Sequence, residues 1–67
     1  MMYADAVNMH ETERLPILIV EDEVPLLDAI VRAFREAGRP VVACSTFEEG
    51  RQALRAQRFA GLLTDVL

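Results

Sequence analysis

The feature that most constrains this chain is a short apolar run, Leu15-Pro16-Ile17-Leu18-Ile19-Val20, that stops at three consecutive acids, Glu21, Asp22 and Glu23. A run this short and this rich in branched side chains is a strand. Having no polar alternation, it suits a strand buried on both faces, as in a parallel sheet. Pro16 is tolerable because it falls among the strand's first residues. A strand covered on both faces needs helices on both sides of its sheet, so the helical segments come next.

The spacing predicts a helix over about Val24 to Ala37. Leu27, Ile30, Val31 and Phe34 fall at i, i+3, i+4 and i+7, one apolar stripe, with Asp28, Arg32, Arg35 and Glu36 elsewhere. Pro25 near its start and Gly38 just past its end match the asymmetry of helix termini. A second strand reads over Pro40 to Cys44. Ser45 or Thr46 then opens a second helix, running to about Gln57. Thr46-Phe47-Glu48-Glu49 has capping-box spacing, so Thr46 and Glu49 are expected to satisfy two orphan amides reciprocally. Phe47, Ala53 and Leu54 are its expected inner stripe. Phe59 to Thr64 reads as a third buried strand, closed by Asp65. Phe34, Phe47 and Phe59 are expected in the core, and Cys44 as a small buried hydrophobe. The order β-α-β-α-β, with short connections, predicts an α/β fold with parallel strands and right-handed crossovers.

Met1 to Arg14 shows neither strand nor sustained helical periodicity, and residues 1–14 are read as a flexible N-terminal tail ahead of one domain over 15–67. The single histidine, His10, lies in that tail and reads as a solvated side chain. With 67 residues the chain has room for one small domain, whose core would bury only about 60% of the unfolded surface. Seven Arg, no Lys and 11 acids give a net charge of −4, which disfavours direct nucleic-acid binding. No apolar run is long enough to span a bilayer, and one cysteine fits a reducing, cytoplasmic setting.

The placement of the acids carries the chemistry. Glu21 and Asp22 follow the first strand and Asp65 follows the third. In an open α/β sheet ligands bind outside the carboxyl ends of strands, where strand order reverses. If strands 1 and 3 are neighbours and strand 2 lies beyond strand 1, these acids converge on strands about 4.8 Å apart. Two such charges 4 Å apart repel by roughly 4 kcal/mol at an effective dielectric near 20. Either a proton is taken up or a hard cation binds, and oxygen donors without His or Cys point to Mg2+. A carboxylate beside such an ion can be a nucleophile toward phosphorus. Taken singly, each acid also has a plainer role: Glu21 and Asp22 suit the dipole of the following helix, Asp65 a solvated strand end, and Glu23 an exposed dipole-facing position.

Ile17-Leu18-Ile19-Val20-Glu21-Asp22-Glu23, the amphipathic helix ending at Gly38, Thr46-Phe47-Glu48-Glu49-Gly50, Ala53-Leu54 and Phe59 to Asp65 together resemble the N-terminal half of a bacterial response-regulator receiver domain, the phosphoacceptor module of two-component signalling. The resemblance covers Pro16 to Leu67. It implies a flavodoxin-like, doubly wound parallel sheet, strand order 2-1-3-4-5, of which this chain carries the 2-1-3 part. It implies that Glu21 and Asp22 hold Mg2+ with Asp65 and the backbone carbonyl of Leu67. Asp65 would then be the phosphoacceptor, taking a phosphoryl group from a sensor histidine kinase or a phosphotransfer protein; such a module is not an enzyme in the ordinary sense.

The departures from the family are also informative. The family's Ser/Thr and Lys at the ends of strands 4 and 5 have no counterpart among these residues, so phosphoryl transfer is expected to be impaired. Ala60 and Gly61 stand where an Asp and a large aliphatic are commoner, which softens the entry to the third strand. Ending after strand 3, the fold would expose that strand as an apolar edge of Leu62, Leu63 and Val66, and self-association through it is expected. Two other readings fit parts of this pattern. A Toprim-like Mg2+-dependent nuclease or primase fragment also places a Glu after strand 1, but its usual Glu-Gly and Asp-x-Asp are absent here. A receiver that binds partners without phosphorylation would need none of the acids. A dinucleotide-binding half is disfavoured because Glu21-Asp22-Glu23 occupies the place of a glycine-rich phosphate loop.

Overall fold

A computed structural model describes residues 14–64. The tail expected over 1–14 lies outside the described residues apart from Arg14, which is exposed. So do Asp65, Val66 and Leu67.

Three strands and two helices alternate: β1 (Ile17–Val20), α1 (Val24–Glu36), β2 (Val41–Cys44), α2 (Phe47–Ala56) and β3 (Gly61–Thr64). The sheet order is β2-β1-β3 and both pairings are parallel, as expected from the short crossovers. Val20 is level with Cys44 on one side and with Thr64 on the other, so the three carboxyl ends stand in a row. Each strand is shorter than the sequence pattern suggests. Pro16 has no N–H to give the ladder, and its carbonyl accepts from the Ala60 amide at 2.9 Å, a bond that leads into β3. Pro40 acts likewise for β2, accepting from Ile17 N–H at 2.9 Å.

Leu18 and Ile19 are fully excluded from solvent. Alternation puts them on opposite faces of the sheet. Leu18, Val20 and Cys44 form one buried cluster, with Val42, Ala53 of α2 and Phe59 against it. Ile19 faces the other side, where Leu27 of α1 is buried and Ile30, Val31 and Phe34 are half-buried, the stripe read from the sequence. The helices lie over β1 and β2, and neither reaches β3 among the described residues.

The termini of α1 follow from backbone chemistry. Pro25 sits in its first turn, where a missing N–H costs nothing. At its end Gly38 adopts φ +79, Gly38 N–H donates to Arg35 O at 3.0 Å, and Arg39 N–H to Phe34 O at 2.9 Å. These two bonds are the Schellman pair that satisfies the last carbonyls. The Arg39 guanidinium then reaches the Leu15 carbonyl at 3.4 Å, tying the loop after α1 to the residues leading into β1.

The capping box of α2 forms with one change of partner. Thr46 Oγ1 accepts from Glu49 N–H at 3.1 Å, but Glu49 Oε1 reaches past Thr46 to take the Ser45 N–H at 2.9 Å and the Ser45 hydroxyl at 3.3 Å. Phe47 and Leu54 are corrections to the expected inner stripe: they are 66% and 52% exposed. The residues that turn inward are Gly50, which is buried, and Ala53. Small side chains there let the helix backbone settle onto Val20, and Phe47 and Leu54 are left on the outer side. Phe34 and Phe59 are half-buried.

A Cβ added at Gly50 would lie 2.7 Å from Val20 Cγ2, a branched side chain packed in the core. Gly50→Ala gains about 1 kcal/mol of helix propensity. Against this stands overpacking of typically 1–3 kcal/mol, so a net loss is expected in urea unfolding. Val20→Ala removes the obstructing methyl, and the double variant should lose less than the sum of the two single changes. A second expectation concerns pH. The Ser45 backbone N–H, foremost, holds the Glu49 carboxyl below the ordinary carboxylate range, with further hydrogen bonds from the Ser45 hydroxyl and Thr46. A carboxyl with a lowered folded-state pKa contributes stability above its unfolded value, about 4.3, and loses it as pH falls through the folded value. Between neutrality and acid, unfolding midpoints should therefore fall further for the native chain than for Glu49→Gln.

Candidate functional site

The carboxyl end of β1 carries the two acids in different environments. Glu21 extends the β1–β2 ladder, its N–H donating to Cys44 O at 3.0 Å, and its side chain is only 7% exposed. Its Oε2 accepts the backbone N–H of Glu23 at 3.0 Å. Glu23 is the N-cap of α1 and makes no side-chain cap bond of its own, so the buried carboxylate of Glu21 braces the turn that the cap would otherwise hold. Asp22, one residue on, is exposed, and Glu23 is exposed as expected.

Beside Glu21 a cavity of about 240 Å3 opens between β1, β3 and α1, lined by Ile19, Val20, Glu21, Ile30, Leu63 and Thr64. It lies at the carboxyl ends of neighbouring parallel strands, the position the strand order predicted for a ligand. Thr64 is a lining residue with no distinguishing signal in the sequence. Its Oγ1 is buried and has no hydrogen-bond partner among the described residues. A hydroxyl ending a strand gives no pattern that distinguishes it from an ordinary β-favouring threonine.

Glu21 and Asp22 provide oxygen donors of the kind a hard divalent cation takes, and a carboxylate buried at a sheet end, next to a cavity, fits such an ion. Among the described residues no three His, Cys, Asp or Glu side chains gather as a metal-holding group. Asp65 and the Leu67 carbonyl, the other two positions of the expected ligand set, lie outside the described residues.

Cys44 ends β2 as a buried free thiol. Burial pushes its pKa up, and the Glu49 carboxylate adds to the effect. It is a packing residue at neutral pH, because the nucleophilic thiolate is disfavoured there.

No protein-family model, curated protein or solved structure matches the chain. Among the described residues no helix is long and apolar enough to cross a membrane.

The unpartnered Thr64 hydroxyl gives a direct test of the site's energetics. Thr64→Val keeps the side-chain shape and removes the orphaned polar atom. It should stabilise the fold by about 1 kcal/mol, read as a rise in the urea midpoint at constant slope.

Proposed function

We propose that this chain is a receiver module of two-component signalling, the N-terminal part of a flavodoxin-like doubly wound domain, in which Asp65 accepts a phosphoryl group with Mg2+ held nearby. The observation that carries the reading is the β1–β3 register. Val20 and Thr64 are paired, and Glu21 and Asp65 are the next residues after them. Consecutive Cα atoms are about 3.8 Å apart, which limits how far either acid can stand from that shared strand end. The burial of Glu21 and the cavity beside it lend further support.

In this reading Glu21, Asp22, Asp65 and the Leu67 carbonyl hold the ion, whose chemistry is to neutralise phosphoryl oxygens as charge builds on them. Glu21, its Oε2 held by the Glu23 amide, presents an oriented carboxylate, and exposed Asp22 would supply a second carboxylate to such an ion. An Asp65 carboxylate oxygen attacks phosphorus, forming the O–P bond as the P–N bond of a phosphohistidine breaks. The imidazole of the partner leaves with the electron pair and takes a proton from solvent. The donor is a sensor histidine kinase or a phosphotransfer protein, and the setting is cytoplasmic.

Mg2+ should raise the unfolding midpoint of the chain, by about 1.4 kcal/mol at ten times its Kd. Asp22→Asn and Asp65→Asn should each remove most of that effect. With Mg2+ and a small acyl phosphate, mass spectrometry should show a slowly formed adduct of about 80 Da, the mass of the transferred group, absent from Asp65→Asn. A Mg2+ response unchanged in Asp65→Asn, or an adduct on another residue, would overturn the assignment.

A further inference from the structure

The amide that holds the Glu21 carboxylate belongs to the start of α1. Glu21 is 7% exposed, its N–H is committed to Cys44 O at 3.0 Å, and its Oε2 accepts the Glu23 N–H at 3.0 Å. No described residue donates to its Oε1. At the other end of the same residue, Glu23 O accepts the Leu27 N–H at 2.9 Å, the first bond of the helix. α1 has no acid in its first turn and its N-cap side chain makes no cap bond, so the Glu21 carboxylate stands in for both. All of these groups lie between β1 and the first turn of α1, and none depends on what borders β3.

We propose that Glu23, through its backbone N–H, is a positioning residue of the cation site, and that ion binding and the first turn of α1 stabilise each other through the Glu21 carboxylate; the inference rests on the metal reading given above. An unrestrained glutamate loses side-chain freedom when it ligates an ion. Burial and the Glu23 bond already restrict Glu21, with one oxygen held by the amide and the other left for the ion. A carboxylate has acceptor sites on both oxygens, so an N–H and a hard cation can be satisfied together. Opening the first turn of α1 breaks the Oε2 bond and releases the carboxylate. The opened state then binds the ion more weakly, and the ion in turn holds the turn closed. The exposed Glu23 side chain takes no part.

The test removes the N–H and nothing else. The full chain can be assembled by ligation at Cys44 with an ester in place of the Asp22–Glu23 amide, which keeps every side chain. Titrated with Mg2+ and followed by NMR, the folded ester chain should show a Kd about tenfold or more above that of the native chain, the scale on which lost partners of metal ligands act. A bond that served only as a helix cap would lower the urea midpoint of the ester chain and leave its Kd unchanged. In the native chain, Mg2+ at ten times its Kd should slow amide exchange at Glu23 and Leu27 by about tenfold, and at Gly38, beyond the far end of α1, by less. Equal Kd values overturn the proposal. So does Glu23 exchange that Mg2+ slows no more than Gly38 exchange, which is the mark of global stabilisation alone. A native chain whose spectrum and unfolding midpoint ignore Mg2+ overturns the metal reading itself, and this inference with it. The exchange measurement uses the native chain, so it decides the matter even if the ester chain fails to fold.

Discussion

Two neighbouring side chains, Leu18 and Ile19, are fully buried on opposite faces of a single strand, and the remainder of the structure follows from that two-sided burial. Each contributes roughly 1.5–3 kcal/mol by leaving water. Neither contribution is available unless a helix covers its own face. β1 must then be central, with a strand on each side, α1 over Ile19 and α2 over Leu18 and Val20. Right-handed crossovers satisfy this by placing α1 and α2 on opposite sides. The central strand also carries its carboxyl end, and with it Glu21, into partly enclosed surroundings.

The burial of Glu21 joins fold to chemistry. A carboxylate taken out of water needs a partner, and here Oε2 takes the amide of Glu23 at the start of α1. The same residue thus extends the ladder to β2 with its backbone, starts the helix with its side chain and lines the cavity beside β3. A group with three structural duties is poorly replaceable for reasons unrelated to any ion it holds. Asp22 carries none of these, which makes it the cleaner probe of metal binding.

Coverage of the sheet is uneven. β1 and β2 lie under both helices, while β3, with Leu62 and Leu63, lies under neither among the described residues. Parallel sheets ordinarily have both faces covered along their whole width. The apolar character of Leu62 and Leu63 therefore fits a strand with neighbours on both sides, and β3 as described has one. Phe47 and Leu54 of α2 are likewise exposed among the described residues.

Much of this arrangement is legible in the amino-acid order. The unbroken run at Ile17 to Val20, the 3,4-spaced stripe from Leu27 to Phe34, Gly38 after the first helix and Thr46 with Glu49 before the second are local signals, and local backbone and side-chain chemistry enforces them. They define the element types and the parallel pairing. Tertiary structure alone decided which way α2 turns: the pattern favoured Phe47 and Leu54 inward beside Ala53, but only Ala53 packs on the core, and the close approach to Val20 is made at Gly50. It also decided that Glu21 is buried and Asp22 exposed, because successive residues leaving a strand point to different surroundings, and that the Thr64 hydroxyl has no partner among the described residues. Periodicity records how often a side chain returns to one side of its own element; what stands on that side depends on the other elements, and is settled only when they pack.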